Sequence, residues 1–187
     1  MAYEGTIIAL DVSKRQTGIC EGRPGQTPRF SSMPFGRQDD GFFDAESRAI
    51  GWIADRLFAE SDLRDVRMVI EAPLERDSSG GSNIQAILVN YGLCKAIGGF
   101  AQRRGVMVVP VKVQTVRKHF IGYGGGFPGH KDQAKKEVRR VCEALGWNPP
   151  NLDASDAGAL WHWAAHKWNP EAVPAISPEL FYRRAAA

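Results

Sequence analysis

Two short runs constrain this chain most. Thr6 to Val12 (TIIALDV) and Val66 to Glu71 (VRMVIE) are apolar and rich in β-branched residues, and each carries an acid at its far end, Asp11 and Glu71. Runs this short, with apolar side chains at successive positions, suit buried strands better than helices. Ala72-Pro73 prevents simple continuation of the second run. An acid at the carboxyl end of a buried strand stands where open sheets commonly place ligand sites.

The remaining elements fall around these two. Thr17 to Glu21 pairs with the first strand as a hairpin, and Arg29 to Met33 forms a third short strand after a Pro- and Gly-rich turn. Helical spacing of Phe43, Ile50, Ile53, Leu57 and Phe58 predicts a helix over Phe43 to Glu60. After the Asp77 to Ser82 loop (DSSGGS), Ile84 to Arg104 reads as a helix despite Gly92, Gly98 and Gly99. Val106 to Val111 is a fifth strand and Gln114 to Phe120 a short helix. The loop Gly122 to Gly129 (GYGGGFPG) then leads to a basic helix from Lys131 to Leu145. Asp153 to Trp168 makes the last helix, with Trp161, Trp163 and Trp168 expected in the core or at a dimer contact. Antiparallel strands first, then strands alternating with helices, predict an α/β fold: a mixed five-stranded sheet flanked by helices.

A length of 187 residues with 43% hydrophobic side chains suits one domain, expected over residues 1–170 with 171–187 as a C-terminal tail. A net charge of +3 permits a nucleic-acid partner without demanding one. Cys20, Cys94 and Cys142 are odd in number and widely spaced, which predicts reduced thiols rather than a disulfide or zinc framework. With no basic leader and no run approaching the ~20 apolar residues of a bilayer span, a cytoplasmic setting is the simplest expectation.

The chemistry is carried by four acids. Asp153 and Asp156 lie three apart at the start of the last helix, which sets both on one face near the positive end of its dipole. With Asp11 and Glu71 they would form an anionic cluster that costs stability unless cations sit within it. Hard oxygen donors without a Cys or His cluster favour Mg²⁺, with Mn²⁺ able to substitute. Two such ions about 4 Å apart would clamp the attacking and leaving oxygens of a phosphodiester. Taken singly, each acid has a plainer reading as a turn, cap or first-turn residue; the ordered combination points to hydrolysis at phosphorus.

Four motifs in order resemble the RuvC family of Holliday-junction resolvases. Asp11 to Gly18 (DVSKRQTG) is similar to its first motif, and Val69 to Glu71 to its second acidic motif. Val116 to Val138 resembles its segment with a lysine on either side of a Gly-rich run, and Asp153 to Leu160 (DASDAGAL) its Asp-Ala-x-Asp-Ala helix start. The resemblance spans Thr6 to His166. It implies a ribonuclease H-like fold, a homodimer, and Mg²⁺-dependent paired nicking of branched DNA such as a four-way junction. It places the metal-binding acids at Asp11, Glu71, Asp153 and Asp156 and two active-site lysines at Lys118 and Lys131. Lys135, Lys136, Arg139 and Arg140 are expected to face solvent or phosphate backbone. Pro73 and Leu74 stand where bacterial members carry an aromatic wedge, and the loop Gly124 to Gly129 is long, features that suggest a phage-type member.

Three other functions compete. A nuclease of the same fold could cut flaps or forks, a non-catalytic relative could bind branched DNA, and a strand followed by Asp-x-Ser and Thr-Gly could cradle ATP as in actin-type proteins. The last needs a second lobe and second phosphate loop, for which 187 residues leave little room. His119 and His130, lacking evident partners, are expected as surface or packing residues.

Overall fold

The computed structural model describes residues 2–73, 84–125 and 132–181. The expectations for Leu74, the Asp77 to Ser82 loop, His130 and Lys131 lie outside these residues. Five strands, β1 (Thr6–Asp11), β2 (Thr17–Gly22), β3 (Arg29–Met33), β4 (Val66–Glu71) and β5 (Met107–Val111), form one sheet in the order β3-β2-β1-β4-β5. The β1–β2 and β2–β3 pairs are antiparallel, whereas β1–β4 and β4–β5 are parallel.

Alternation along β1 shows why its sequence is apolar throughout. Ile7 and Ala9 point into one core and Ile8 and Leu10 into the other, so both faces of the strand are buried. The helices are α1 (Asp44–Phe58), α2 (Ile84–Arg103), α3 (Val113–Ile121), α4 (Gln133–Ala144) and α5 (Leu152–Trp168). The first core holds residues of α3, α4 and α5, the second residues of α1 and α2. Trp161 is fully enclosed and its indole N–H donates to the Gly22 carbonyl at 3.3 Å, which places this tryptophan in the core.

Three expectations change in detail. The buried stripe of α1 is Ala45, Ala49, Ile53 and Leu57; Phe43 and Phe58, which carried part of the periodic signal, are 73% and 87% exposed. The 20-residue α2 is in fact long and apolar enough to cross a membrane by length and composition, yet Leu93, Ile97, Gly98 and Ala101 seat one face of it in the second core. The segment expected as a tail begins with packed structure: Val173 is buried, Ile176 and Leu180 lie against the first core, and Arg140 Nη2 donates to the Leu180 carbonyl at 2.6 Å. All three cysteines are free thiols.

Candidate active site

Parallel pairing sets Leu10 beside Ile70, so the next residues, Asp11 and Glu71, leave the sheet side by side at its carboxyl edge. The β1–β2 turn is closed by Thr17, whose buried hydroxyl donates to the Ser13 carbonyl at 2.8 Å and accepts from the Ser13 N–H at 3.2 Å. Gly18 then lets α5 approach. A Cβ at this position would lie 2.0 Å from the Asp153 carbonyl oxygen, so only glycine allows the start of α5 to rest on β2. The cap of α5 is Asn151, whose Oδ1 accepts from the Ala154 N–H at 2.9 Å while its Nδ2 donates to Ser32 Oγ of β3 at 2.7 Å. Asp153 and Asp156 are therefore not needed as the cap, and they reach Asp11 from the helix's first turns.

The cluster contains a cation. Lys135 Nζ of α4 lies 2.6 Å from Asp153 Oδ1, 3.3 Å from Asp156 Oδ2 and 3.8 Å from Asp11 Oδ2. Burial, with the Asp156 charge next, pushes the Asp11 carboxyl up to about 7. Glu71 is held well above the ordinary range by burial and then by Asp11 and Asp156, and Asp156 is raised chiefly by burial. For Lys135 burial works against the charged form, but Asp156, Asp11 and Asp153 outweigh it and raise its pKa. Arg117 of α3 adds positive charge felt by Asp11, Glu71 and Asp156, and its buried Nε has no hydrogen-bond partner.

The four sequence-selected acids thus come together, while the lysines divide. Lys118 lies on the exposed side of α3 near Gly124, and Lys131 is outside the described residues. Lys135, expected to face solvent or phosphate backbone, instead faces the acids. Its signal was present in helical spacing, since Val138 and Cys142, three and seven residues on, are buried on α4. Arg117 was legible in the same way, lying within the arc of Val116, Phe120 and Ile121 that α3 buries, whereas Lys118 lies away from it. The outer positions behave as expected: Lys136 and Arg140 are exposed, and Arg139 and Arg140 pair with Glu143 and Glu137. His119 does have a partner, His162.

No family model matches the sequence, and no curated protein matches it either. Solved structures do. Thermus thermophilus RuvC in complex with a Holliday-junction substrate aligns with a TM-score of 0.61 at 15% identity, covering 88% of this chain and 93% of that one. The chain has the RuvC fold. A second Thermus thermophilus RuvC structure gives a TM-score of 0.57 at 16% identity, over 87% of this chain and 95% of that one. The yeast mitochondrial Holliday-junction resolvase Ydc2 gives 0.50 at 10% identity, over 87% and 76%.

Within this RuvC-like sheet the donor set suits a hard divalent ion, since it consists of carboxylates alone. Among the described residues no three His, Cys, Asp or Glu side chains close around one point as a finished metal site. Carboxylates of Asp11, Asp153 and Asp156 are instead gathered around the Lys135 ammonium. The chemistry fits a metal in charge and donor type, with Lys135 as the cation that would yield. The unpartnered Arg117 Nε fits an added oxygen acceptor such as a phosphoryl group.

Proposed function

We propose that this chain is a metal-dependent, structure-selective DNA endonuclease that resolves four-way junctions by paired nicking. The observation that carries the reading is the meeting of Asp11, Glu71, Asp153 and Asp156 at one edge of a RuvC-like sheet, around a point that already holds a cation. In this reading the four acids hold Mg²⁺ or Mn²⁺, as two ions per site, which when bound supply charge stabilisation for an in-line displacement at phosphorus. The chain's own residues do the rest. Asp11 and Glu71, fixed by paired strands, define the site's floor, while α5 brings Asp153 and Asp156 over it. Arg117 offers Nε–H to a phosphoryl oxygen, and Lys135 moves from its ion pairs to the incoming phosphate. Lys131 keeps the role that the family resemblance gives it.

Paired nicking needs two such sites, so the active species is proposed as a homodimer. Ile84, Leu88 and Tyr91, at 69%, 62% and 45% exposure, support this as an exposed apolar stripe on α2. A cytoplasmic setting, in a bacterium or phage-infected cell, accords with three free thiols.

Incubation of the protein with labelled four-way junction, flap and linear duplex, with Mg²⁺ and with chelator, tests the reading. Symmetrical nicks near the crossover, in metal only, are expected; cutting confined to the flap would remove the resolvase assignment. The ion pairs of Lys135 favour one other reading, a branched-DNA binder whose carboxylates are neutralised from within. Junction binding without cutting in either metal would select it.

A further inference from the structure

A second cleft, of about 920 Å³, opens beyond Asp11 between the β1–β2 turn, the loop after β3 and the first half of α2. Lys14, Arg15 and Arg37 line it, and among the described residues none of its lining is acidic. Arg29, Arg48, Arg56, Arg64, Arg139 and Arg140 each pair with a carboxylate, but among the described residues Lys14, Arg15 and Arg37 make no ion pair. Asp40, whose charge feels Lys14, is committed to Arg48 at 2.5 Å and to the Arg37 backbone N–H at 2.6 Å. Three cations without an ion pair among the described residues therefore share one concave surface.

That surface is held in place. The Lys14 N–H donates to Asn90 Oδ1 of α2 at 3.0 Å, and its carbonyl accepts from the Gly36 N–H at 2.8 Å. Its stem runs across Gly36, where a Cβ would come within 2.1 Å of Lys14 Cγ. Ser13 Oγ donates to the Gln16 carbonyl at 2.8 Å and accepts from the Gln16 N–H at 3.1 Å, so the turn is hydrogen-bonded internally as well. A cation whose backbone is held by two flanking elements has less freedom to lose on meeting an anion.

We infer that this cleft is a track for the phosphodiester backbone of the DNA strand that enters the acid site, with Lys14, Arg15 and Arg37 as positioning residues. The inference rests on the nuclease reading and deepens it. The acids repel phosphate, so affinity must come from cations beside them, and this cleft supplies three, two of them, Lys14 and Arg15, on the turn that directly follows Asp11. Such contacts fix the strand's register without reading its sequence.

The test is metal-free binding of labelled four-way junction across a salt series, followed by cleavage kinetics in Mg²⁺, for the wild type and for a K14M/R15Q/R37Q variant. Each lost phosphate contact reduces the slope of log affinity against log salt by about 0.9, so the variant's affinity should fall less steeply between about 50 and 200 mM salt, by a factor of about 40. KM should rise with kcat little changed, alike for junctions of different sequence. An R15Q/R37Q variant touches only exposed side chains and carries the test if the triple variant does not fold; R64Q, away from the cleft, is the control. A wild type that binds and cuts, beside variants with its slope and KM, overturns the track alone. A wild type that neither binds nor cuts the junction overturns the nuclease reading beneath it.

Discussion

At the scale of single residues, the site is a contest between burial and charge. Asp11 is raised by burial and then by Asp156, and Glu71 by burial and then by Asp11 and Asp156, so an added cation would favour the carboxylate form of both. Asp11→Asn and Glu71→Gln should abolish metal-dependent cutting while leaving junction binding in place, because each removes a negative charge that repels phosphate. Gel-shift and cleavage assays on one preparation check this, and undiminished cutting by either variant contradicts the assignment. Arg117 and Lys118 are neighbours in sequence with opposite prospects. Arg117→Ala should lose about 10²-fold in kcat, as expected for one donor aimed at developing charge, and Lys118→Ala should change it little. Single-turnover rates at saturating enzyme separate the two, and the reverse order would return the role to Lys118.

At the scale of elements, the decisive contact is that of α5 with β2. Gly18→Ala would drive a Cβ into the Asp153 carbonyl, a backbone atom that cannot step aside. The expected cost is about 3 kcal/mol in urea denaturation, at the upper end for overpacking, with cutting lost even under conditions where the variant stays folded. A second joint lies between α3, α5 and the C-terminal segment. His162 Nε2 faces the Pro174 carbonyl at 3.0 Å and must donate to it, which leaves Nδ1 to accept from His119 Nε2 at 2.9 Å. Both rings are neutral in this arrangement. Burial is the main reason that each is lowered to about 4; the neighbouring histidines add to the effect on His119, and for His162 the hydrogen bond to Pro174 works in the opposite direction. With folded values below the unfolded value of about 6.5, the unfolded chain takes up protons first as pH falls. The stabilisation is therefore present above about pH 6.5 and lost as pH drops through about 4. Urea midpoints measured across that window should fall with acid, and His119→Gln should flatten its share of the decline; an unchanged profile would show that the pair does not carry it.

At the scale of the whole molecule, the sequence disclosed the sheet and the acids more readily than the faces of the helices. Strands β1 and β4 are apolar at every inward position because both sides are covered, and that signal is local. The acids follow as the residues at which those runs end. Which way α1, α3 and α4 turn depends on partners distant in sequence, so Phe43 and Phe58 lend a misleading stripe, Lys135 faces the acids rather than solvent, and Arg117 carries no mark of its place beyond the arc that α3 buries. The same reasoning bears on assembly. If the exposed α2 stripe joins two copies, Leu88→Arg should shift sedimentation from dimer to monomer and turn paired junction nicks into unpaired ones. A wild type that sediments as a monomer at assay concentration would remove this role from α2.

Asn151 has a wider consequence than its place as a helix cap suggests. Aspartate would serve the Ala154 N–H equally well, but it has no amide hydrogens for Ser32 and would bring a fifth anion to the edge of the cluster. The carboxamide thus moors the mouth of the candidate site to the outermost strand while adding no charge to it.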